Sequence, residues 1–215
     1  MDVYLDTLHK EFTTGTDSRV YTPQSYLKSL PLDPADYVEI TSFTHHPYNT
    51  SFVLEIPDNW SDALYYNVEL DDLVETINHA LKNGYTVAWD GDVSSIGFSF
   101  GNGVAVVPEE DLSGLSREER EKRLTNILTE KEITPEYRQQ MFDQFVMTDD
   151  HLMHLTGMAK DQNGTVYYLI KNSWGTDRND AGGYLLMSEN YVRLNTVAIM
   201  VNKNALPQKI RKDFK

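Results

Sequence analysis

The chain has 215 residues, of which 40% are hydrophobic and 24% charged, and its net charge at pH 7 is −14. This composition is typical of a globular chain of one or two domains, long enough to bury a sizeable core. The negative charge repels polyanions, so we expect no nucleic-acid partner. An acidic surface mainly favours solubility, but it also suits cationic substrates such as peptides with free amino termini.

No cysteine occurs anywhere in the sequence. This absence excludes disulfides, thiolate metal sites and a cysteine nucleophile within this chain. The sequence also has no run of 18 apolar residues and no signal-peptide pattern after Met1. We therefore expect no membrane partner and a cytoplasmic location, although an upstream targeting segment would change the location.

The N-terminal part of the chain predicts two helices. The first spans Met1–Phe12 on a partial apolar stripe. The second begins at Thr22-Pro23, an N-cap followed by proline at the first helical position, and continues through Leu30. Pro31 and Pro34 then end it.

From Tyr37 the pattern changes to short strands with one clear helix. The predicted strands are Tyr37–Phe43, Phe52–Ile56, Ala63–Val68 and Thr86–Trp89. The predicted helix is Asp71–Lys82, because apolar residues recur along one of its faces and Asn83-Gly84 provides a stop signal.

The region after this helix is charged and less regular. Gly97–Val107 is a glycine-punctuated strand or loop, and Asp111–Glu130 is a solvated helix or an insertion. Thr134-Pro135 begins a further helix, through about Phe145, by the capping pattern seen at Thr22-Pro23. The last predicted elements are the strands Gly183–Met187 and Thr196–Val201, the helical turn Glu189–Arg193, and a basic, mostly polar tail, Lys203–Lys215.

A predicted hairpin between these elements carries an imidazole and a carboxamide. Apolar residues are dense from Leu152 to Met158, a turn signal follows at Asp161–Gly164, and Val166–Ile170 is a short apolar run. His151 and Asn172 stand at the strand ends that are far from the turn. Pairing of the two strands would therefore bring their side chains together.

Such a pair has a chemical use. If the amide oxygen of Asn172 accepts a hydrogen bond from one imidazole nitrogen of His151, the tautomer is fixed and the other nitrogen is left for proton transfer. Trp174, two residues after Asn172, is placed to cover this hydrogen bond and exclude water. Taken alone, however, a strand histidine more often bonds a backbone carbonyl.

The wider pattern resembles a known family. Asp150-His151-Leu152-Met153, followed by Asn172-Ser173-Trp174-Gly175, Gly183-Tyr184 and Met187-Ser188, resembles the His/Asn half of papain-like cysteine peptidases. The chain is most similar to the bleomycin hydrolase/aminopeptidase C branch, from about Tyr21 onward. Further similar segments are Tyr21-Thr22-Pro23, Asp36-Tyr37-Val38, Pro57-Asp58-Asn59-Trp60, Val87-Ala88-Trp89 and Asp92-Val93.

The resemblance implies an α+β, papain-like fold, mainly its antiparallel, barrel-like half with flanking helices. It implies that His151 is the general acid and base and that Asn172 orients it, with Asp150 and Trp174 in support. The glutamine–cysteine–tryptophan motif of the family is missing. Gln24-Ser25-Tyr26 lacks its spacing and its tryptophan, so serine does not replace cysteine and we expect this chain alone to be inactive.

The resemblance also assigns the parts of the chain. Residues 1–35 become a helical connector from a missing, cysteine-bearing N-terminal half, and residues 36–215 become the β-rich His/Asn domain with a charged helical insertion near 109–146. The complete enzyme would hydrolyse amino-terminal peptide bonds without a cofactor, as a homo-oligomer. The tail Arg211–Lys215 lacks the small-residue ending with which the family limits cleavage to amino-terminal residues.

Alternatives remain for single residues and for the whole chain. Asp92 is either a substrate-side residue near the cleft or, with Asp90, a cap at a strand-to-loop junction, which the pattern favours. A metal at His151 and His154 would need a helix; on a strand His154 faces the other way and is structural, so we expect no metal site. The chain itself is either part of an active enzyme or a naturally truncated, non-catalytic module that binds peptides or a partner chain. An unrelated hydrolase or metal protein is a more distant alternative.

Overall fold

The computed structural model describes residues 11–15 and 18–214, which fall into two compact units. The units are Met1–Asp36 and Tyr37–Lys215. Their division lies one residue beyond the boundary that the sequence predicts between residues 35 and 36.

The first unit is only partly helical. Strand β1 (Phe12–Thr13) pairs antiparallel with β2 (Val20–Tyr21), and helix α1 follows over Pro23–Ser29. Most of the helix predicted for Met1–Phe12 lies outside the described residues. Its predicted end is wrong, because Phe12 is extended in β1.

Helix α1 begins where the sequence predicts. The Thr22 hydroxyl accepts a hydrogen bond from the Ser25 N–H at 3.1 Å, and Ser25 Oγ accepts one from the Thr22 N–H at 2.8 Å. This reciprocal arrangement satisfies two backbone donors that a helix start would otherwise leave without partners.

The second unit is built on a large sheet. Its strands are β3 (Tyr37–Thr41), β4 (Thr50–Val53), β5 (Leu64–Asn67), β6 (Val87–Gly91), β7 (Phe98–Ser99), β8 (Val104–Ala105), β9 (His151–Lys160), β10 (Val166–Lys171), β11 (Tyr184–Ser188) and β12 (Thr196–Asn202). In the described part of the chain these ten strands form one sheet in the order β4-β5-β3-β12-β6-β9-β10-β11-β8-β7. Neighbours are antiparallel except β3 with β5 and β8 with β11, which are parallel.

Helices flank this sheet, which confirms the predicted α+β class. They are α2 (Leu70–Lys82), α3 (Arg117–Leu124), α4 (Pro135–Asp143), α5 (Glu189–Asn195) and α6 (Gln208–Arg211). Helix α2 begins one residue before its predicted start, and the Thr134 hydroxyl caps α4 by accepting from the Tyr137 N–H at 3.2 Å. No helix within residues 11–15 and 18–214 has the length and apolarity that crossing a bilayer requires.

The main core lies between α2 and the sheet. Leu73, Ile77 and Ala80 of α2 are fully buried there, together with Trp89 and Tyr168 from the strands. Each large apolar side chain buried in this way stabilises the fold by about 1.5–3 kcal/mol. The strands that carry the candidate site are therefore fixed from one side by packing.

The charged region contributes a small core of its own. In the predicted segment Asp111–Glu130, only Arg117–Leu124 forms a helix, α3. Leu124 is buried against Leu112 and Val106, so the segment is anchored by apolar packing as well as solvated by its charged face.

The tail is more deeply integrated than its basic composition predicts. Leu206 and Ile210 are buried in the main core. Lys209 Nζ lies 2.7 Å from the carboxylate of Asp72 in α2, and the Tyr66 hydroxyl donates to Asp213 at 2.8 Å. The tail is basic and mostly polar in composition, yet two of its few apolar residues recur at helical spacing and anchor it to the core.

Gly91 ends strand β6 where the backbone of another element approaches closely. A β-carbon at this position would lie 2.1 Å from the backbone oxygen of Asn195 and 2.5 Å from the Trp89 ring. Gly91 also pairs with His151 across the sheet, so the close packing here supports the start of β9.

We predict that Gly91→Ala lowers the free energy of unfolding by about 2 kcal/mol or more, because the added methyl group overpacks against backbone. Chemical denaturation measures the change. Gly114→Ala is the matched control, since nothing lies within 4 Å of a β-carbon there, and its effect should stay within about 0.5 kcal/mol. Equal effects of the two substitutions would contradict the packing described for Gly91.

Candidate active site

Strands β9 and β10 bring His151 and Asn172 together at one end of the sheet. The strands pair antiparallel across the turn at residues 161–165, with Lys171 opposite His154 and a register shift between Leu169 and Ile170. His151 Nε2 lies 2.9 Å from Asn172 Oδ1. This contact is the one that the sequence predicts from the two strand ends.

A second hydrogen bond fixes which way the carboxamide faces. The Ser173 backbone N–H donates to Asn172 Oδ1 at 2.7 Å, and an N–H can only donate. The oxygen of Asn172, not its amide nitrogen, therefore faces His151. It follows that His151 Nε2 carries a proton and donates it, so in the neutral imidazole Nδ1 has the free lone pair.

Aromatic side chains surround this pair. The rings of Trp174 and His151 are 5.0 Å apart between centroids and tilted by 41°. Trp174 is in turn supported edge-on by Phe100 at 5.0 Å and Phe98 at 6.0 Å. With 38% of its surface exposed, Trp174 shields one side of His151 and still reaches solvent.

Asp150 anchors the loop after β6 to the start of β9. Its Oδ1 accepts a hydrogen bond from the Val93 N–H at 2.9 Å. Partial burial raises the pKa of Asp150, while the bond from Val93 and the charge of His151 act in the opposite direction. The contact ties the residue before His151 to the loop that follows β6.

Asp92 fits the capping alternative and not a substrate-side role. The side chain is completely buried. Oδ1 accepts from the N–H and the hydroxyl of Ser94, and Oδ2 accepts from the N–H and the hydroxyl of Thr148. A carboxylate without exposed surface cannot touch a substrate, so the suggestion that Asp92 lies on the substrate side is corrected.

His154 lies on the other face of β9 from His151. It is exposed, whereas Met153 and Leu155 face the core. His45 and His46 belong to a separate cluster around Phe52. Among the residues that the structure describes, no three His, Cys, Asp or Glu side chains are grouped to suit a metal ion.

The structure also shows a group of carboxylates beside His151 that sequence reasoning missed. Glu39, Asp58, Asp90 and Asp149 line a cavity of about 490 Å³, which His151 also lines. Only Asp90 was singled out from the sequence, as a partner of Asp92. These carboxylates belong to separate segments of the chain that the strand order brings together. No local sequence pattern therefore predicts that they form a group.

Two members of this group share a proton. Burial, followed by the hydrogen bond with Asp149 and its charge, raises the pKa of Asp90 to about 8. Burial also raises the pKa of Asp149, while the hydrogen bond from Asp90 lowers it. Because their hydrogen bond raises the pKa of Asp90 and lowers that of Asp149, Asp90 is the donor of the pair.

Comparison of the sequence with protein families identifies its class, the C1-like peptidases. The model of the peptidase C1-like family matches residues 9–215. The chain belongs to this family of peptidases. No curated protein matches the chain.

Solved structures agree on the fold. The crystal structure of PepW from Lactobacillus rhamnosis HN001 (DR20) is 19% identical, with a TM-score of 0.65; the match covers 94% of this chain and 44% of PepW. This likeness confirms the papain-like fold. The chain thus spans less than half of the length of PepW.

Two plant proteases give weaker matches. The bromelain protease from Ananas comosus, in complex with E64, is 14% identical with a TM-score of 0.29, covering 54% of this chain and 40% of bromelain. The ragweed pollen allergen Amb a 11, a cysteine protease in its proform, is 16% identical with a TM-score of 0.31, covering 62% and 27% of the two chains.

We predict that Asn172→Ala releases the tautomer of His151, because Nε2–H loses its acceptor. The ¹⁵N chemical shifts of the imidazole, measured at high pH where the ring is neutral, should show a protonated Nε2 in the parent chain and a mixture of tautomers in the variant. Asn163→Ala, in the exposed turn of the hairpin, should leave the shifts unchanged. A protonated Nδ1 in the parent chain would contradict the geometry.

The Asp90–Asp149 pair predicts that stability falls as the pH rises. The pKa of Asp90 in the folded chain, about 8, exceeds its ordinary value of 3.8, so between about pH 4 and 8 the folded chain binds more protons than the unfolded one. Asp90→Asn keeps a donor for Asp149 and removes the titration. Its free energy of unfolding should exceed that of the parent at pH 8 by about 1–3 kcal/mol, with a smaller difference at pH 5.

Chemical denaturation at the two pH values tests this dependence. Glu118→Gln, on the exposed side of α3, is the control for the loss of one carboxylate. Its free energy of unfolding should equal that of the parent at both pH values. An Asp90→Asn variant that is no more stable than the parent at pH 8 would refute the shared proton.

Proposed function

We propose that the chain is the His/Asn-bearing portion of a papain-type cysteine peptidase, in which His151 moves the proton and Asn172 orients it. The observation that carries this proposal is the 2.9 Å contact between His151 Nε2 and Asn172 Oδ1, with the oxygen fixed by the Ser173 N–H. Membership of the peptidase C1-like family supports it.

The nucleophile has to come from outside the 215 residues, because they contain no cysteine. We propose a cysteine-bearing half as the partner of this chain, joined to it or separate from it. The match to only 44% of PepW supports such an arrangement. This chain alone is then inactive as a peptidase.

The chemistry follows from the free lone pair of His151. Nδ1 takes the proton of the cysteine thiol, and Asn172 Oδ1 holds the resulting imidazolium through Nε2–H. The thiolate attacks the peptide carbonyl carbon, and Nδ1–H protonates the leaving amine as the carbon–nitrogen bond breaks. Water, deprotonated by the same nitrogen, then hydrolyses the thioester and regenerates the thiol.

For the substrate we propose peptides with a free amino terminus. The similarity of the motifs to the bleomycin hydrolase/aminopeptidase C branch supports this choice, and so does the net charge of −14. We further propose that the complete enzyme is a cytoplasmic homo-oligomer that needs no cofactor, membrane or nucleic acid.

A second candidate is a non-catalytic module that binds peptides or a partner chain. The absence of cysteine favours it. The two candidates differ in one respect that is open to experiment: only the first gives activity once a cysteine is supplied.

We predict that mixing this chain with the cysteine-bearing N-terminal half of a related enzyme yields hydrolysis of an amino-terminal fluorogenic substrate. His151→Ala should lower the rate on the order of 10²–10⁴-fold, because the general acid and base is lost. Asn172→Ala should lower it by roughly 10-fold or more, because the imidazole loses its orientation.

The controls separate the two candidates. His45→Ala, away from the pair, should leave the rate unchanged, and a substrate with a blocked amino terminus should be cleaved slowly. Full activity in the His151→Ala mixture would refute the role of His151. Complex formation without any activity would favour the binding module.

A further inference from the structure

Asparagine followed directly by glycine occurs three times in the chain, at Asn83-Gly84, Asn102-Gly103 and Asn163-Gly164. In such a pair no side chain on the glycine hinders its backbone nitrogen from attacking the asparagine side chain. All three glycines have a positive φ, and each N–H donates to the carbonyl oxygen three residues earlier, at 3.0 to 3.3 Å. The glycine backbone therefore does not distinguish the three pairs.

The side-chain amides do distinguish them, and two of the three are held. Asn83 follows the last residue of α2, and its Nδ2 donates to the His79 carbonyl oxygen at 2.8 Å. Asn102 Nδ2 lies 2.9 Å from Ser99 Oγ, 2.8 Å from Glu121 Oε2 and 3.0 Å from the Glu121 carbonyl oxygen. These hydrogen bonds have to break before either carboxamide can turn toward the nitrogen of the next residue.

Asn163 differs because nothing holds its carboxamide. The residue is exposed in the turn between β9 and β10, where its backbone N–H donates to Asp161 Oδ1 at 2.8 Å. Among the described residues, none forms a hydrogen bond with its side chain. Gly164 is exposed as well, and no atom outside its chain neighbours lies within 4 Å of the position of a β-carbon. The Asn163 side chain can therefore rotate toward Gly164 without breaking a contact.

We propose that Asn163 is a site of spontaneous deamidation. The Gly164 nitrogen attacks Cγ of Asn163, the new C–N bond closes a five-membered succinimide ring, and the Cγ–Nδ2 bond breaks. Nδ2 leaves as ammonia with the proton of the Gly164 N–H. Water then opens the ring on one side or the other, which gives aspartate or isoaspartate. In the balance one water is consumed, one ammonia is released, and nothing is oxidised or reduced.

The reaction changes the tip of the hairpin. The ring uses the Gly164 nitrogen, which in the unmodified chain donates to the Asp161 carbonyl oxygen at 3.1 Å. Isoaspartate lengthens the backbone by one carbon atom, since the chain then runs through the side-chain carbonyl. Both products add a carboxylate close to that of Asp161, whose Oδ1 also accepts from the Thr165 N–H at 2.9 Å. Like charges so placed repel each other, so the modified turn is less stable than the original one.

The candidate active site lies at the other end of the same hairpin. The strands begin to pair at Lys160 and Val166, and His151 contacts Asn172 beyond the last paired positions. We therefore expect the amide chemical shifts to change around the turn as the chain ages, while the imidazole signals of His151 stay the same. Altered His151 signals would contradict confinement of the change to the turn.

Mass spectrometry of the aged chain tests the site. The folded chain is kept at mildly alkaline pH, where more of the glycine nitrogen is deprotonated, and its peptides are released at acidic pH, where the ring forms slowly. Deamidation at Asn163 should be about 5-fold or more faster than at Asn83 and Asn102, which is the factor that one hydrogen bond contributes. Chromatography should separate an aspartate peptide and an isoaspartate peptide of equal mass.

Controls separate the effect of structure from that of sequence. In concentrated denaturant the three rates should converge, because only the shared dipeptide is then left. Glu121→Ala removes the carboxylate that holds Asn102, so it should raise the rate at Asn102 and leave the rate at Asn163 unchanged. Gly164→Ala should slow the reaction at Asn163 about 5-fold or more, because the methyl group hinders the attacking nitrogen.

Three outcomes would overturn the proposal. They are equal rates at the three pairs in the folded chain, a faster reaction at Asn83 or Asn102, and no deamidation at Asn163. Loss of ammonia from Asn163 at an unchanged rate in Gly164→Ala would refute the ring mechanism. None of these results depends on peptidase activity, so they leave the proposed function untouched.

Discussion

The single oxygen of Asn172 is the atom on which the candidate site depends. It accepts from His151 Nε2 at 2.9 Å and from the Ser173 N–H at 2.7 Å, and the second bond decides the direction of the first. Because the Ser173 N–H can only donate, the atom that it bonds is the side-chain oxygen of Asn172, so the imidazole must donate to it too and its other nitrogen has the free lone pair. The sheet supplies the rigidity, since both residues extend strands whose neighbours are buried in one core.

Two aspartates of this sheet region differ in their surroundings: one has a structural role, and the other lines a cavity. Asp92 has four hydrogen bonds and no exposed surface, so it ties β6 to the segment before β9. Two residues earlier on the same chain, Asp90 shares a proton with Asp149 and faces a cavity. Asp90 lies within β6 and lines a cavity, whereas Asp92 follows the end of the strand and is enclosed by its hydrogen bonds, so the two aspartates have different surroundings and different chemistry.

Sequence reasoning reached the features that are local in the chain. The turn and the apolar runs of the hairpin predict that His151 and Asn172 meet. The helix starts at Thr22 and Thr134 were predicted from their capping residues. Ser116 caps a helix in the same way, but it was not predicted. The carboxylate group was missed because Glu39, Asp58 and Asp149 meet only through strand order and register. The packing of the tail was not predicted, because its average polarity obscures two residues that are buried in the core, Leu206 and Ile210.

In the proposed enzyme, His151 takes a proton from a cysteine that a partner supplies. The most direct test measures the ultraviolet absorbance of the thiolate against pH in a cysteine-bearing half, alone and with this chain. We expect the thiol pKa to lie well below its ordinary value of about 8.5 in the mixture, and to return toward that value with His151→Ala. A thiol pKa that this chain does not change, although the two halves form a complex, would contradict it.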